Sequence, residues 1–260
     1  GTGGFSTKNT SIAFYNSKAI EWICTVFMIF AGINFSLYFK LFTGNGKELT
    51  SNTEFKAYLG ILLTSIFIVT FANLEQYQSF FTSLRYSSFH VASIMSTTGF
   101  ATQNYLEWIP LAQIILFFLM FIGGSSGSTS GGVKVIRWVI LAKQATNESL
   151  KMLHPHGIFS IRLNGRAGRN DVVYNVSAFF FLYALLVLIT TVITTLGGSD
   201  ILTSFTASLS MVGNIGPGFG KVGPMDNFAQ FATAIKWWYC FAMLAGRLEL
   251  YTMIIFFNKA

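Results

Sequence analysis

Apolar positions in this chain come in long runs separated by short polar ones. The runs at 17–42, 55–74, 172–196 and 228–257 reach the roughly 20 residues that a helix needs to cross a bilayer core, so each predicts a spanning helix. The first carries Asn34 and Ser36 inside it, and Lys40 is placed to snorkel at its end. Two further stretches, 80–95 and 202–212, are long enough for a helix but too polar to span lipid; the first holds Arg85, His90 and several serines. They predict short helices that reach half the membrane depth. Each leads into a polar turn with a central glycine, at 96–102 and 213–219. Spanning helix, short helix, Thr/Gly turn, spanning helix is the layout of a re-entrant pore loop. Non-helical backbone at that depth is tolerated only where protein buries it or a water-filled cavity receives it. After the first turn, Tyr105-Leu106-Glu107-Trp108 predicts a collar at the membrane interface.

The turn recurs. Thr2-Gly3-Gly4-Phe5-Ser6-Thr7 matches Thr97-Thr98-Gly99-Phe100-Ala101-Thr102 at four of six positions, and Gly213-Asn214-Ile215-Gly216-Pro217-Gly218-Phe219 is a third version. Aligned on the central glycine, Gly4, Gly99 and Gly216 are equivalent. Recurrence at this spacing marks an internal repeat. A glycine accepts positive φ without a Cβ clash, which lets successive carbonyls point the same way. Rings of such carbonyls replace the hydration shell of a cation. Thr97, Thr98, Gly99 and Phe100 are therefore expected to form one wall of an ion selectivity filter. Asn214, Ile215 and Gly216, with Thr2, Gly3 and Gly4, would supply further walls. The short helices would aim the negative ends of their dipoles at the ion path.

The run 109–142 is too long for one crossing: as a single helix it would measure ~50 Å. Its halves, 109–122 and 133–142, are each too short to cross alone. Between them lies Gly123-Gly124-Ser125-Ser126-Gly127-Ser128-Thr129-Ser130-Gly131-Gly132, which cannot hold a helix. The expectation is a helix broken at membrane depth, with its loop facing the cavity below the filter. In the last run, Arg247 lies ~28 Å along a straight helix counted from Phe228. An ionisable residue inside a span is a functional candidate.

Composition narrows the class. With 52% hydrophobic and 10% charged residues and a mean hydropathy of +0.55, the chain is not a soluble domain. The net charge of +7 is spread over connectors, with no Lys/Arg block interleaved with aromatics, which argues against a nucleic-acid partner. Lys143, Lys151, Arg162, Arg166 and Arg169 outweigh Glu148 and Asp171 in the connector 143–171, which places it in the cytoplasm. Alternation of spans puts 43–56 on the same side. His154 and His156 flank Pro155 as solvated side chains. Cys24 and Cys240 read as buried single thiols. No HExxH, GxSxG or paired intramembrane carboxylates occur, so an enzyme is not expected. The rival class is a secondary transporter with broken helices, coupling a cation or small solute to a Na⁺ or H⁺ gradient.

The phrases TGGFST, STTGFAT and GNIGPGFG, with FIGGSSGSTSGGVKVIR and AGRLELYT, resemble the Trk/Ktr/HKT superfamily of potassium transporters, in its TrkH type. The resemblance covers the whole chain. It implies an all-α integral membrane fold, with repeated membrane helix–pore loop–membrane helix units around a pseudo-fourfold pore. On that pattern, residues 1–52 would close repeat two, 53–150 would form repeat three and 151–260 repeat four, with the rest upstream of Gly1. It further implies potassium uptake, with K⁺ as the transported ion held at the filter residues and no organic cofactor. Residues 123–132 would match the gating loop, and Arg247 would sit beneath the filter, opposing cation passage. The implied partners are a second copy in a homodimer, a cytoplasmic RCK-type nucleotide-binding ring of the TrkA or KtrA kind, and membrane lipids. The implied location is a bacterial or archaeal inner membrane.

Overall fold

A computed structural model of the chain describes residues 2–154, 156–157, 159–164, 166–167 and 171–248. Pro155, Arg169, Glu249, Lys259 and the far end of the last run lie outside the described residues, as does the side chain of Arg166. The helices follow in order: α1 Lys18–Ala31, α2 Phe35–Phe42, α3 Gly46–Ser51, α4 Thr53–Ala72, α5 Leu74–Tyr77, α6 Phe80–Met95, α7 Pro110–Leu119, α8 Val135–Leu153, α9 Asp171–Leu196, α10 Ile201–Gly213 and α11 Thr233–Arg247. The all-α expectation holds but for a small hairpin in the polar connector, where Arg162–Leu163 pairs with Arg166–Ala167.

Local chemistry sets the helix starts. Asn52 caps α4 by accepting the Phe55 N–H at 2.9 Å, Pro110 opens α7, and Asp200 caps α10 by accepting the Thr203 N–H at 3.1 Å. Helix α9 buries Phe179, Tyr183, Val187, Thr190 and Thr194, one stripe at helical spacing, and turns Phe181, Leu188 and Val192 outward. Large apolar side chains on outer faces, such as Phe67 on α4, are what lipid requires. By length and composition, α4 and α9 are long enough to cross a membrane.

Four expectations are corrected. The run 17–42 is not one helix: α1 and α2 meet at 93° across Gly32-Ile33-Asn34. The Asn34 side chain accepts the Ser36 N–H at 2.8 Å and so starts α2 afresh. The polar connector keeps its helix as far as Leu153, because Ala, Gln, Glu and Lys in that stretch are good helix formers. Tyr105 and Trp108 are buried rather than interfacial; the Trp108 indole donates to the Tyr77 hydroxyl at 2.8 Å. Cys240 is exposed and Cys24 half-buried. Lys40, at the end of α2, pairs with Glu48. The two polar connectors touch, since the Thr53 N–H donates to Asn164 Oδ1 at 2.8 Å.

Two stretches share one design. The middle unit is α4, the short helix α6, its turn and α7; the last unit is α9, the short helix α10, its turn and α11. Helix α6 packs on α4 and α1, while α10 lies between α9 and α11.

Candidate functional site

The three turns meet. Gly3 N–H donates to the Thr97 oxygen at 3.2 Å, and Gly4 N–H to the Thr98 oxygen at 2.9 Å. A Cβ on Gly4 would stand 2.7 Å from the Gly99 oxygen, and one on Gly216 2.6 Å from the Gly3 oxygen. At Gly99, whose φ is +78°, a Cβ would overlap the Ile215 oxygen. Only glycine meets both demands there. Thr97 and Asn214, each two residues before its central glycine, also share a φ of +55°. The carbonyls of Thr97 and Thr98 are thus satisfied by neighbouring amides. Each of these donors belongs to the first turn, so the first and second turns are joined backbone to backbone. Thr2 is half-buried ahead of Gly3. A cavity of about 530 Å³ opens beside the turns, with Asn214, Pro217, Lys236 and Tyr239 in its wall.

Two serines that sequence reasoning missed hold the turns from behind. Ser93 and Ser210 each lie six residues before the central glycine, near the end of α6 and α10. The Ser93 oxygen accepts the Thr98 N–H, and the Ser210 oxygen accepts the Ile215 N–H, both at 2.9 Å. The Ser93 hydroxyl donates to the Phe100 oxygen at 2.6 Å, so that carbonyl turns toward its own helix. The Ser210 hydroxyl donates to the Gly216 oxygen at 2.6 Å and accepts the Gly216 N–H at 2.9 Å. The shared offset of a serine in both short helices was the available signal. The chain beyond each turn is pinned as well. His90 Nε2 lies 3.0 Å from the Gln103 oxygen, and the Thr206 hydroxyl donates to the Phe219 oxygen at 3.0 Å. The Tyr105 hydroxyl donates to the Gly218 oxygen at 2.6 Å, tying the middle unit to the last.

Below the turns, the Gly/Ser loop between α7 and α8 runs under the inner end of the site. Gly131 N–H donates to Thr97 Oγ1 at 2.6 Å, and a Cβ on Gly131 would overlap the Gly213 oxygen. The bend between α1 and α2 receives the loop on one side: Ser125 N–H donates to the Gly32 oxygen at 2.8 Å, Thr129 N–H to the Ala31 oxygen at 3.3 Å, and Phe35 N–H to the Gly127 oxygen at 3.1 Å. The Ser128 hydroxyl donates to the Ser125 oxygen at 2.6 Å, and Lys134 Nζ to the Ser130 oxygen. From the other side, Arg247 Nη1 donates to the Thr129 oxygen at 2.6 Å. Sequence reasoning singled out Arg247 and the loop. It did not find Glu54, whose carboxylate accepts the Ser126 N–H at 2.6 Å.

Re-entrant short helices, glycine turns meeting at one point and a broken inner helix define a membrane protein of pore-loop construction. Comparison with known proteins agrees. Residues 1–260 match the family described as "TrkH: Cation transport protein", and the chain belongs to that family. It is 35% identical over 261 residues to the Trk system potassium uptake protein TrkH of Salmonella typhimurium, covering 98% of this chain and 53% of that protein. It is 34% identical over 256 residues to the Trk system potassium uptake protein TrkI of Halomonas elongata, covering 98% and 52%. The crystal structure of the potassium transporter TrkH from Vibrio parahaemolyticus superposes with a TM-score of 0.89 at 33% identity, over 97% of this chain and 55% of that one. The chain thus spans about half the length of the relatives it matches.

Proposed function

We propose that this chain forms part of a potassium uptake pore. Three filter walls come from Thr2, Gly3 and Gly4, from Thr97, Thr98 and Gly99, and from Asn214, Ile215 and Gly216. The loop 123–132 and Arg247 form the gate beneath them. The observation that carries the reading is the meeting of the three glycines with the loop directly below, Gly131 N–H on Thr97 Oγ1. Backbone oxygens on one axis can replace the water of a cation of the right size. The Thr97 and Thr98 oxygens would exchange their amide donors for the ion. The Gly131 amide beneath them, held by the Arg247 bond to Thr129, keeps the inner mouth shut. Arg247 adds a positive charge there, which repels a cation arriving from either side. The two joined polar connectors present the cytoplasmic face on which a nucleotide-binding ring would act.

The test is uptake of K⁺ and Na⁺ by the full-length protein carrying Gly99→Ser. A side chain at this positive-φ position pushes against the Ile215 oxygen and spreads the walls, so the preference for K⁺ over Na⁺ should fall at least about tenfold, a loss of ~1.4 kcal/mol. An unchanged preference, with normal amounts of protein in the membrane, removes the filter assignment.

A further inference from the structure

We infer that Glu54 is a positioning residue that divides the Gly/Ser loop into a fixed neck and a movable tip. This rests on the reading of the loop as a gate and specifies which part of it moves. Glu54 sits in the first turn of α4, buried, and a single oxygen, Oε1, accepts two amides of the loop region: Ser126 N–H at 2.6 Å and Ile136 N–H at 3.3 Å. One amide lies where the chain enters the loop and the other in the first turn of α8, where it leaves. A helix start offers unpaired N–H groups and favours a negative charge, so the carboxylate caps α8 from another helix. Hydrogen bonds to a charged acceptor are the stronger kind, and a buried carboxylate without them is costly.

The backbone reinforces this division. Entry and exit are zipped by Gly123 N–H on the Val133 oxygen at 2.8 Å and Val135 N–H on the Gly124 oxygen at 3.1 Å. Between the zipped ends, residues 127–132 start and finish on positive-φ glycines, Gly127 at +70° and Gly132 at +63°. At both ends of the tip, then, the chain can swing without dragging a side chain through a forbidden region. The hydrogen bonds to Thr97 and to Arg247 both come from that six-residue tip, through Gly131 and Thr129. Two side chains join neck and tip: Lys134, whose charge acts on the Glu54 carboxyl, reaches the Ser130 oxygen, and the Ser128 hydroxyl donates to the Ser125 oxygen. The gate is therefore a short flap hinged at Gly127 and Gly132, and Glu54 ties its base to the 20-residue α4.

Two serines are ready-made reporters. Ser125 in the neck and Ser130 in the tip are both 1% exposed, and neither hydroxyl has a hydrogen-bond partner among the described residues, so cysteine replaces each with little disturbance. In the full-length protein with its native cysteines, Cys24 and Cys240 among them, changed to serine, Ser125→Cys and Ser130→Cys are labelled with a membrane-permeant maleimide. Adding Arg247→Ala loosens the tip, which keeps the bonds of Thr129 to the Ala31 oxygen, so Ser130→Cys should react about tenfold faster, roughly the loss of one hydrogen bond to a charged group, while Ser125→Cys stays protected. Adding Glu54→Ala as well should expose Ser125→Cys to the same degree; Glu54→Gln, which keeps the acceptor oxygen, should not. Ser125→Cys reacting in step with Ser130→Cys while Glu54 is intact overturns the proposal, and that arm needs no Glu54 variant to fold. So does protection of both cysteines after Arg247→Ala, or protection of Ser125→Cys after Glu54→Ala. Rubidium uptake by the same cells tests the gate separately. If labelling divides as expected but Arg247→Ala leaves uptake unchanged, the neck and tip stand and the gating role falls.

Discussion

The middle and last units place the same glycine turn at the end of the same short helix, yet they secure it by different physics. In the middle unit α6 adds a charge pair to its hydroxyl bonds, which run from Ser83 to the Thr70 oxygen and from Ser93 to the Phe100 oxygen. Arg85 Nε lies 3.0 Å from Glu21 Oε2 on α1, with both side chains less than a tenth exposed. In the last unit α10 carries no charged residue and is held by hydroxyls: Thr203 and Thr206 bind the chain beyond the turn, and Ser210 grips Gly216 twice. The units also differ below the turn. The middle one breaks its inner helix into α7 and α8 and lays the loop under the site, while α11 of the last unit runs unbroken to deliver Arg247 to that loop. A charge pair fixes one helix against one neighbour, whereas a set of hydroxyls fixes a backbone path. The first holds α6 against α1; the second holds the α10 turn and the chain beyond it to their own helix.

The largest effect should come from breaking the charge pair. Glu21→Leu or Arg85→Met alone leaves an uncompensated buried charge and should cost about 3–5 kcal/mol, seen as a marked drop in melting temperature in detergent. The double variant should recover most of it, because two apolar side chains replace the pair. If the double variant melts as low as the singles, α6 is not held this way. Next in size is the hydroxyl grip. Ser210→Ala removes two hydrogen bonds to Gly216, and Ser93→Ala one to Phe100, at about 1 kcal/mol each. K⁺ preference and melting temperature should both fall further for Ser210→Ala. An equal or reversed order would erase the distinction drawn between the units.

The smallest effect separates the helix starts. Asp200 caps α10, while Ser79 makes no side-chain bond at the start of α6. Asp200→Ala should destabilise by about 1 kcal/mol and Ser79→Ala by much less. The Thr203 hydroxyl and N–H beside Asp200 hold its carboxyl below the usual carboxylate range. A lowered folded-state value means that the contribution is present above the unfolded value, near ~3.9, and fades as pH falls through the folded one. Melting temperatures of the native protein and Asp200→Asn, which keeps a cap but does not titrate, should therefore converge in acid. A constant gap would show that the charge plays no part.

Much of this was legible beforehand because membrane depth leaves few choices. The short helix at 80–95 has the ends its pattern predicted, and the break within 109–142 followed from ten residues that cannot be helical. The bend at Gly32-Ile33-Asn34 was not legible. Its stretch is apolar enough to read as a span, and the bend is completed by Ser125 and Thr129 from a loop some 95 residues away. Glu54 falls in the polar connector 43–56 with nothing to single it out, and Tyr105 and Trp108 looked like interfacial aromatics. In each case the partner that gives the residue its task lies far off in the chain.

By itself the sequence determined the class: apolar runs of bilayer length, three equivalent glycine turns and one broken helix admit few arrangements, since lipid excludes unpaired backbone. Only the tertiary structure decided that the turns touch and that the loop lies on Thr97 between Arg247 and Glu54. Those contacts are single hydrogen bonds between distant segments, and no periodicity along the chain encodes which oxygen will face which amide.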